Sequence, residues 1–461
     1  MTQNNTKTIR VGLLGAGTVG SQTARLIVEQ SEELAARIGA NIELAGVACL
    51  HPEEVDAPWI KRELLTTDTA SLCAREDVDI VIELIGGLEP AHTFVKSALS
   101  HKKSVVTANK ALLAKFGPEL YECAESHGVD LYFEAAVAGA IPIVRPLRES
   151  LIGDKITQIF GIVNGTTNYI LDEMTVRGLD FDSALRAAQE KGYAEADPTG
   201  DVEGFDAANK AAILATLAFQ MPVSIDDVSV EGISAITAED IAAAGAEDRV
   251  IKLLAAVERQ SDCESNSDGE VSADAGVSVS VYPALVNAEH PLASVHGSFN
   301  AVFVKAQAAD DLMFYGRGAG GAPTASAVVG DVVSAARNIV RGCSGFGVPM
   351  YNKYVPASSE KTKADFVIRC SMEDTSLALC SEVMDVFADH GVAAERLASA
   401  CQAKYAQTNG DSDCPECGLG GPGSMRVLVR ECSEAAVQAI CEDLQKLDVV
   451  CGKPLVLRVI K

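Results

Sequence analysis

The segment EADPTGDVEGFDAANK, residues 195–210, holds five carboxylates and one lysine, and the apolar run AAILATLAF follows it directly. Asp206 and Lys210 are four residues apart, which on a helix stacks them on one face within reach of each other. If the helix begins there, with Ile213, Leu214 and Leu217 as core, the pair is partly desolvated near its N-terminal end. Asp206 then keeps Lys210 protonated and aimed, which is the arrangement of a general acid. The competing reading is an exposed ion pair worth a few tenths of a kcal/mol. Glu195 and Asp201, in the glycine- and proline-containing lead-in, would add carboxylates for a cationic group of a substrate.

A second lysine stands in SVVTANKALLAK, residues 104–115. Asn109 and Lys110 lie just past the carboxyl end of an expected strand, the edge at which open α/β sheets bind ligands. Lys110 there can hold a substrate carboxylate or lie against a cofactor, with the small residues Thr107 and Ala108 beside it. GAGTVG, residues 15–20, follows one apolar strand and opens a helix. In that setting Gly15 makes the tight turn, Gly17 lets the backbone approach a pyrophosphate, and Gly20 lets helix and strand pack closely. The helix beginning near Thr18 and Val19 offers its free N–H groups to the phosphates.

These residues need a frame. TIRVGLL, IELAGVACL, VDIVIELIG, KSVVTAN and DLYFEAAV read as short strands alternating with helical stretches, which predicts a Rossmann-type, doubly wound parallel sheet over residues 1–142. An α+β unit follows over 143–350, with strands at KITQIFGIVNG, VSVSVYPALV and FNAVFVKA and a helix at about 321–342 packing back onto the first sheet. Residues 360–461 follow a βαββαβ order, the ferredoxin-like split unit. The polar, acidic stretch at 260–276 reads as a surface insert.

The chain has 461 residues, 48% hydrophobic, a formal net charge of −26 and 13 cysteines. Its mean hydropathy is +0.15. The charge opposes nucleic acid and anionic membrane as partners, so an anionic ligand needs a local positive site. No apolar run approaches the ~18 residues of a bilayer span. With no secretory signal at MTQNNTKTIR, the expected location is cytoplasmic. Singly scattered cysteines fit reduced thiols; Cys414 and Cys417 form a C-P-E-C loop without a second pair for zinc. At the tip of the second strand, ACLHPEEV places no acid at Ala48 or Cys49 to bind ribose hydroxyls and no arginine for a 2′-phosphate. Cofactor choice leans to NADP over NAD, with Lys61 or Arg62 available to fold in.

GAGTVG, GGLEPAHTFVKSAL, VVTANKALLA, FEAAVAGAIPIV, VNGTTNYIL, GYAEADPTGDVEGFDAANKAAIL and GAGGAPTASAVVGD together resemble the monofunctional homoserine dehydrogenases, in order and spacing, over nearly the whole chain. The tail resembles an ACT domain. The resemblance implies reversible NAD(P)H-dependent reduction of L-aspartate 4-semialdehyde to L-homoserine. It assigns proton donation to Lys210 and its partner's role to Asp206. Glu195 and Asp201 become substrate-site acids, and Lys110 the lysine beside nicotinamide and substrate. Gly318 becomes a cofactor contact. Backbone carbonyls of Glu134, Val137, Gly139 and Ile141 would coordinate sodium or potassium, oxygen ligands suiting a hard cation. The resemblance also implies feedback by an amino-acid effector such as threonine, and a homodimer or homotetramer. Rival readings are another small-substrate amino-acid dehydrogenase, or an inactive amino-acid sensor.

Overall fold

Near-continuous apolar strands separated by helices form a parallel sheet covered on both faces, and the computed structural model, which describes residues 7–260, 276–345, 355–358, 362–397 and 423–461, builds one. Strands β1 (Thr8–Leu14), β2 (Asn41–Ala48), β3 (Leu65–Thr66), β4 (Ile80–Glu83), β5 (Ser104–Thr107) and β6 (Leu131–Tyr132) lie in the order 3-2-1-4-5-6. All its pairings are parallel. The order reverses between β1 and β4, so the carboxyl ends of those strands open the crevice where such sheets take a dinucleotide.

The helix Gly321–Arg341 returns to this unit. Val328, Val332, Ala335 and Ala336 on it join Ile9, Val11 and Ile80 of the sheet in one apolar cluster.

The second sheet is larger. β7 (Ile156–Ile162), β8 (Ser229–Val230), β9 (Arg249–Arg259), β10 (Gly276–Asn287), β11 (Phe299–Ala306) and β12 (Asp310–Arg317) precede β13 (Val355–Pro356), β14 (Lys363–Met372), β15 (Ala394–Arg396), β16 (Gly423–Ser433) and β17 (Leu455–Ile460). Its main path runs β12-β11-β7-β9-β10-β17-β14-β16-β15, with β8 and β13 paired to β10. The last four strands, β17-β14-β16-β15, are antiparallel neighbours in the order 4-1-3-2 of a ferredoxin-like unit. Helices Leu377–Asp389 and Glu434–Leu444 share an apolar cluster with them. The C-terminal unit does not stand apart: β17 pairs in parallel with β10, Ala284 against Arg458 through Val286 against Ile460, so one sheet runs through both units.

Two expectations change. DLYFEAAV is strand only at Leu131–Tyr132, after which Glu134–Ala136 form a turn of 3-10 helix. The cause is local capture of backbone groups: Glu134 N–H donates to Asp331, and the Glu134 carboxylate accepts from the N–H groups of Ile143, Val144 and Arg145. VAAERLASA is strand only at Ala394–Arg396, its last residues lying outside the described ones. Nearly all of the acidic stretch at 260–276, and Cys414 with Cys417, also lie outside them.

Lys252 on β9 is buried, its Nζ donating to Asn168 Oδ1 (3.1 Å) and Val295 O (2.6 Å). Burial pushes its pKa down to about 8, against the pull of Asp172. A lysine whose folded pKa lies below its unfolded value near 10.5 costs stability while the pH is below 8, and the cost disappears as pH rises from 8 to 10.5. Relative to Lys252→Met, the native chain is therefore expected to gain on the order of 2 kcal/mol over that window. Urea unfolding of both proteins at pH 7.5 and 10.5 measures it; parallel pH dependence would contradict it.

Candidate active site

The helix Phe205–Phe219 lies between the two sheets, against the helix Lys110–His127 on one side and β9 and β10 on the other. Its Leu214 is buried with Ala207, Ala208, Ala211, Ala212 and Ala215, and the small alanine side chains let the neighbouring elements approach. Gly204 caps it at φ 86°, a left-handed conformation that favours glycine. Lys210, 9% exposed, therefore projects into the seam between the units.

There Lys210 Nζ donates to Asp206 Oδ2 (2.6 Å) and to the Val163 carbonyl (2.7 Å). Lys110 reaches the other carboxylate oxygen, Nζ to Asp206 Oδ1 at 2.5 Å. The two lysines proposed independently from distant segments thus share one acid. Lys110 follows Asn109, whose Oδ1 accepts from Leu112 N–H and whose Nδ2 donates to the Gly87 carbonyl, so the lysine starts its helix at a fixed angle. Burial by itself would raise the Asp206 pKa, but Lys210 and then Lys110 outweigh it and hold this carboxyl well below the usual carboxylate range. The Asp206–Lys210 pair is consequently not the exposed surface pair that the spacing also allowed.

One residue of the cluster escaped the reading of the sequence. Asn164 Nδ2 donates to Asp201 Oδ1 (2.7 Å) and Asp206 Oδ2 (2.9 Å). Its Oδ1 accepts from Thr167 N–H (2.8 Å), capping the helix Gly165–Arg177. The cap was legible as asparagine before a helical run; the amide's reach to two carboxylates 37 and 42 residues away was not. Burial raises the Asp201 carboxyl, with the Asn164 hydrogen bond opposing and Asp206 adding to the rise. Asn164→Ala is expected to lower kcat about ten- to a hundredfold, since hydrogen bonds to charged groups contribute about 1.5–3 kcal/mol. Cofactor affinity should stay unchanged, and the acid limb of the pH–rate profile should move as Asp201 and Asp206 lose their shared donor. An unmoved profile would reduce Asn164 to a helix cap.

Glu195 is exposed, and among the described residues no hydrogen bond or ion pair joins its carboxylate to this cluster. Its segment is nonetheless held close, because Thr166 Oγ1 donates to the Tyr193 carbonyl (2.6 Å) at the start of the helix that Asn164 caps. Thr107 is fully buried, and its hydroxyl is used within the protein, donating to Glu83 and accepting from Asn109 N–H.

The glycine turn fits a dinucleotide. Gly15 has φ 99°, and a Cβ there would lie 2.6 Å from the Leu84 carbonyl oxygen; at Gly20 it would lie 2.0 Å from that of Gly15. Gly17 is exposed and has open space around it, where a phosphate can approach the backbone. Thr18 begins the first helix, with Val19 half-buried behind it. The loop carrying Gly318 closes over this turn, since Gly321 packs on Thr18. On its other side the Gly318 carbonyl presses on Gly139, so tightly that a Cβ at Gly139 would be 2.5 Å away. Ala138 and Gly139 are both left-handed, at φ 54° and 55°, and turn the backbone sharply between Val137 and Ile141. Beyond the tip of β2, Arg62 Nη1 donates to the Pro52 carbonyl (3.1 Å). Among the described residues, no helix is long and apolar enough to cross a membrane.

Residues 15–134 match the model "Homoserine dehydrogenase, NAD binding domain" and residues 142–333 the model "Homoserine dehydrogenase". The chain is similar to a homoserine dehydrogenase of Corynebacterium glutamicum, 51% identical over 83% of this chain and 84% of that one. The crystal structure of a homoserine dehydrogenase from Thiobacillus denitrificans superposes with a TM-score of 0.85 at 34% identity, covering 99% of each chain. A hyperthermophilic archaeal homoserine dehydrogenase in complex with NADPH covers 71% of this chain and 97% of its own, with 27% identity and a TM-score of 0.58. Relatives of one kind thus match the chain nearly from end to end, and the chain belongs to the homoserine dehydrogenase family.

Proposed function

We propose that Lys210, with Asp206 as its partner, carries proton transfer in this NAD(P)-dependent homoserine dehydrogenase, which interconverts L-aspartate 4-semialdehyde and L-homoserine. The supporting observation is the pair of ammonium groups on the two oxygens of one largely buried carboxylate. When bound, the nicotinamide supplies or accepts hydride at the reacting carbon. Lys210 stabilises the negative charge that develops on the carbonyl oxygen and delivers a proton to it. Asp206 keeps that lysine charged and oriented. Lys110, 41% exposed, faces outward enough to meet a substrate carboxylate or the cofactor. Asp201 and, from the neighbouring segment, Glu195 would receive the substrate's ammonium group.

The glycine turn, residues 15–20, and the Gly318 loop would hold the dinucleotide. NADP is favoured over NAD: no acid occupies Ala48 or Cys49, Arg62 lies beside the strand tip, and an archaeal relative is described with NADPH. The 134–141 turn would offer the main-chain oxygens of Glu134, Val137, Gly139 and Ile141 to sodium or potassium, because the Glu134 carboxylate itself faces inward. We assign residues 1–142 to dinucleotide binding, 143–350 to substrate binding and dimerisation, and 360–461 to an ACT-type regulatory unit answering to an amino acid such as threonine, in a dimer or tetramer.

Steady-state oxidation of homoserine with NADP and with NAD, in sodium, potassium and choline chloride, tests these assignments. Higher kcat/KM with NADP, and activation by the alkali cations over choline, are the expected results. A preference for NAD or indifference to the cation would remove the corresponding assignment.

A further inference from the structure

Glu83, the last residue of β4, is fully buried and takes no part in the proton transfer assigned to Lys210. A carboxyl group taken out of water must find donors within the protein. Its Oε1 accepts from Ile85 N–H (2.8 Å) and Gly86 N–H (3.0 Å), and its Oε2 accepts from the Thr107 hydroxyl at the end of β5 (2.6 Å). Thr107 Oγ1 in turn accepts from Asn109 N–H (3.0 Å), and Asn109 Nδ2 donates back to the Gly87 carbonyl (2.7 Å). These hydrogen bonds close a ring between the loop 84–87 and residues 107–109.

Each side of the ring borders the reaction site. The loop 84–87 leaves β4 at the crevice between β1 and β4. There Leu84 N–H donates to the Leu14 carbonyl (2.8 Å), and the Leu84 carbonyl lies so near the glycine turn that a Cβ at Gly15 would be 2.6 Å from its oxygen. Ile85, large and apolar, is 40% exposed in this loop, and Gly86 and Gly87, at φ 81° and 72°, then turn the chain back. On the other side, Asn109 caps the helix Lys110–His127 through Leu112 N–H (3.1 Å), and Lys110 is its first residue, with Nζ 2.5 Å from Asp206. Neutral groups could cap the loop alone; a carboxylate that also reaches the adjacent strand sets the spacing between the two strand ends.

We propose that Glu83 is a positioning residue for hydride transfer: through this ring it holds the loop 84–87, on which the nicotinamide end of the dinucleotide would bear, at a fixed distance from Lys110. This rests on the reading of Lys110 as the lysine beside cofactor and substrate. Glu83 itself touches neither. The glycine turn would bind the pyrophosphate without it, since Leu84 is held against that turn by its main-chain bond to Leu14. What Glu83 governs is the approach of the ring to the reacting carbon, where a misplacement of about 1 Å can cost roughly a hundredfold in rate. Glu83→Gln keeps the shape and exchanges one acceptor oxygen for a donor. Turned toward Thr107, the new amide group leaves the hydroxyl without its acceptor; turned toward the loop, it meets two N–H groups.

In the full-length protein, Glu83→Gln and Thr107→Val are each expected to lower kcat for homoserine oxidation about ten- to a hundredfold, with the Kd for NADPH, read by fluorescence titration, within about threefold of native. Thr107→Ser, which keeps the hydroxyl, should recover most of what Thr107→Val loses. Amide hydrogen exchange in the ligand-free protein gives a second readout. Peptides covering 84–87 and 109–112 should exchange faster in both variants, while the helix Glu434–Leu444 exchanges as in the native chain. A kcat within about threefold of native in both variants overturns the positioning role. So does a loss of activity with faster exchange throughout the chain, which would make Glu83 a general support of the fold. Lys110→Met separates the underlying reading: native turnover in that variant removes the lysine's role and the positioning role together. A crippled Lys110→Met beside an active Glu83→Gln removes the positioning role alone.

Discussion

Lys210→Ala is expected to bind the dinucleotide as the native chain does and to lose about 10³-fold in kcat. The side chain is buried, fixed at its tip by Asp206 and the Val163 carbonyl, and lies on a helix remote in sequence from the glycine turn. Its loss leaves charge developing on the carbonyl oxygen without a positioned cation. Lys110 does not take its place, because it approaches Asp206 from the opposite oxygen. Lys210→Arg should rescue little, since a guanidinium does not give up its proton. Steady-state kinetics beside a fluorescence titration of NADPH separates the two effects. Turnover within tenfold of native would place proton donation elsewhere.

Arg145→Met is expected to lower stability by about 3–5 kcal/mol, the range for removing one partner of a buried ion pair. Asp331, on the helix Gly321–Arg341, is fully buried and held by the Arg145 guanidinium and by Glu134 N–H. Burial pushes the Asp331 carboxyl up to about 7 even with Arg145 beside it. Without the guanidinium it rises further. A carboxyl whose folded pKa exceeds its unfolded value binds protons more tightly in the native state, so this group favours folding increasingly as pH falls. The deficit of the variant should accordingly shrink between pH 8 and pH 5.5, as Asp331 becomes neutral. Arg145→Met combined with Asp331→Asn should recover part of it. Urea unfolding at the two pH values reads the effect, and a deficit independent of pH would show that lost packing, not an uncompensated carboxylate, is the cause.

The same contacts bear on catalysis. Arg145 and Asp331 join the helix Gly321–Arg341 to the 134–141 turn, and the loop ahead of that helix lies between Thr18 and Gly139. A break there loosens both the nucleotide turn and the proposed cation turn. Stability and cofactor affinity should therefore fall together in Arg145→Met, whereas Lys210→Ala affects turnover alone.

Some of the site was legible because its geometry is local. The turn at Gly15, Gly17 and Gly20 follows from what a Cβ would strike, and Asp206 meets Lys210 because a helix brings residues four apart together. Lys110 was found by its place at a strand end, but its partner was not, since Asp206 comes 96 residues later on an element of the other unit. The Glu134 segment misled for a related reason. Its residue types suit a strand, yet a carboxylate able to collect three backbone N–H groups bent it into a turn. At the end of β5 the Thr107 hydroxyl is taken up by Glu83 on the adjacent strand, a pairing that nothing in the local sequence announces.

By itself, then, the amino-acid order determined the fold class, the nucleotide turn and the acid–lysine pair, because alternation, helical period and glycine sterics act over a few residues. Tertiary structure decided that Lys110 shares Asp206, that Asn164 braces Asp201 and Asp206 together, and that β17 extends the substrate unit's sheet. Those contacts exist only once two sheets bury their apolar faces against the helix Phe205–Phe219. Which distant polar groups then face one another depends on how those surfaces pack.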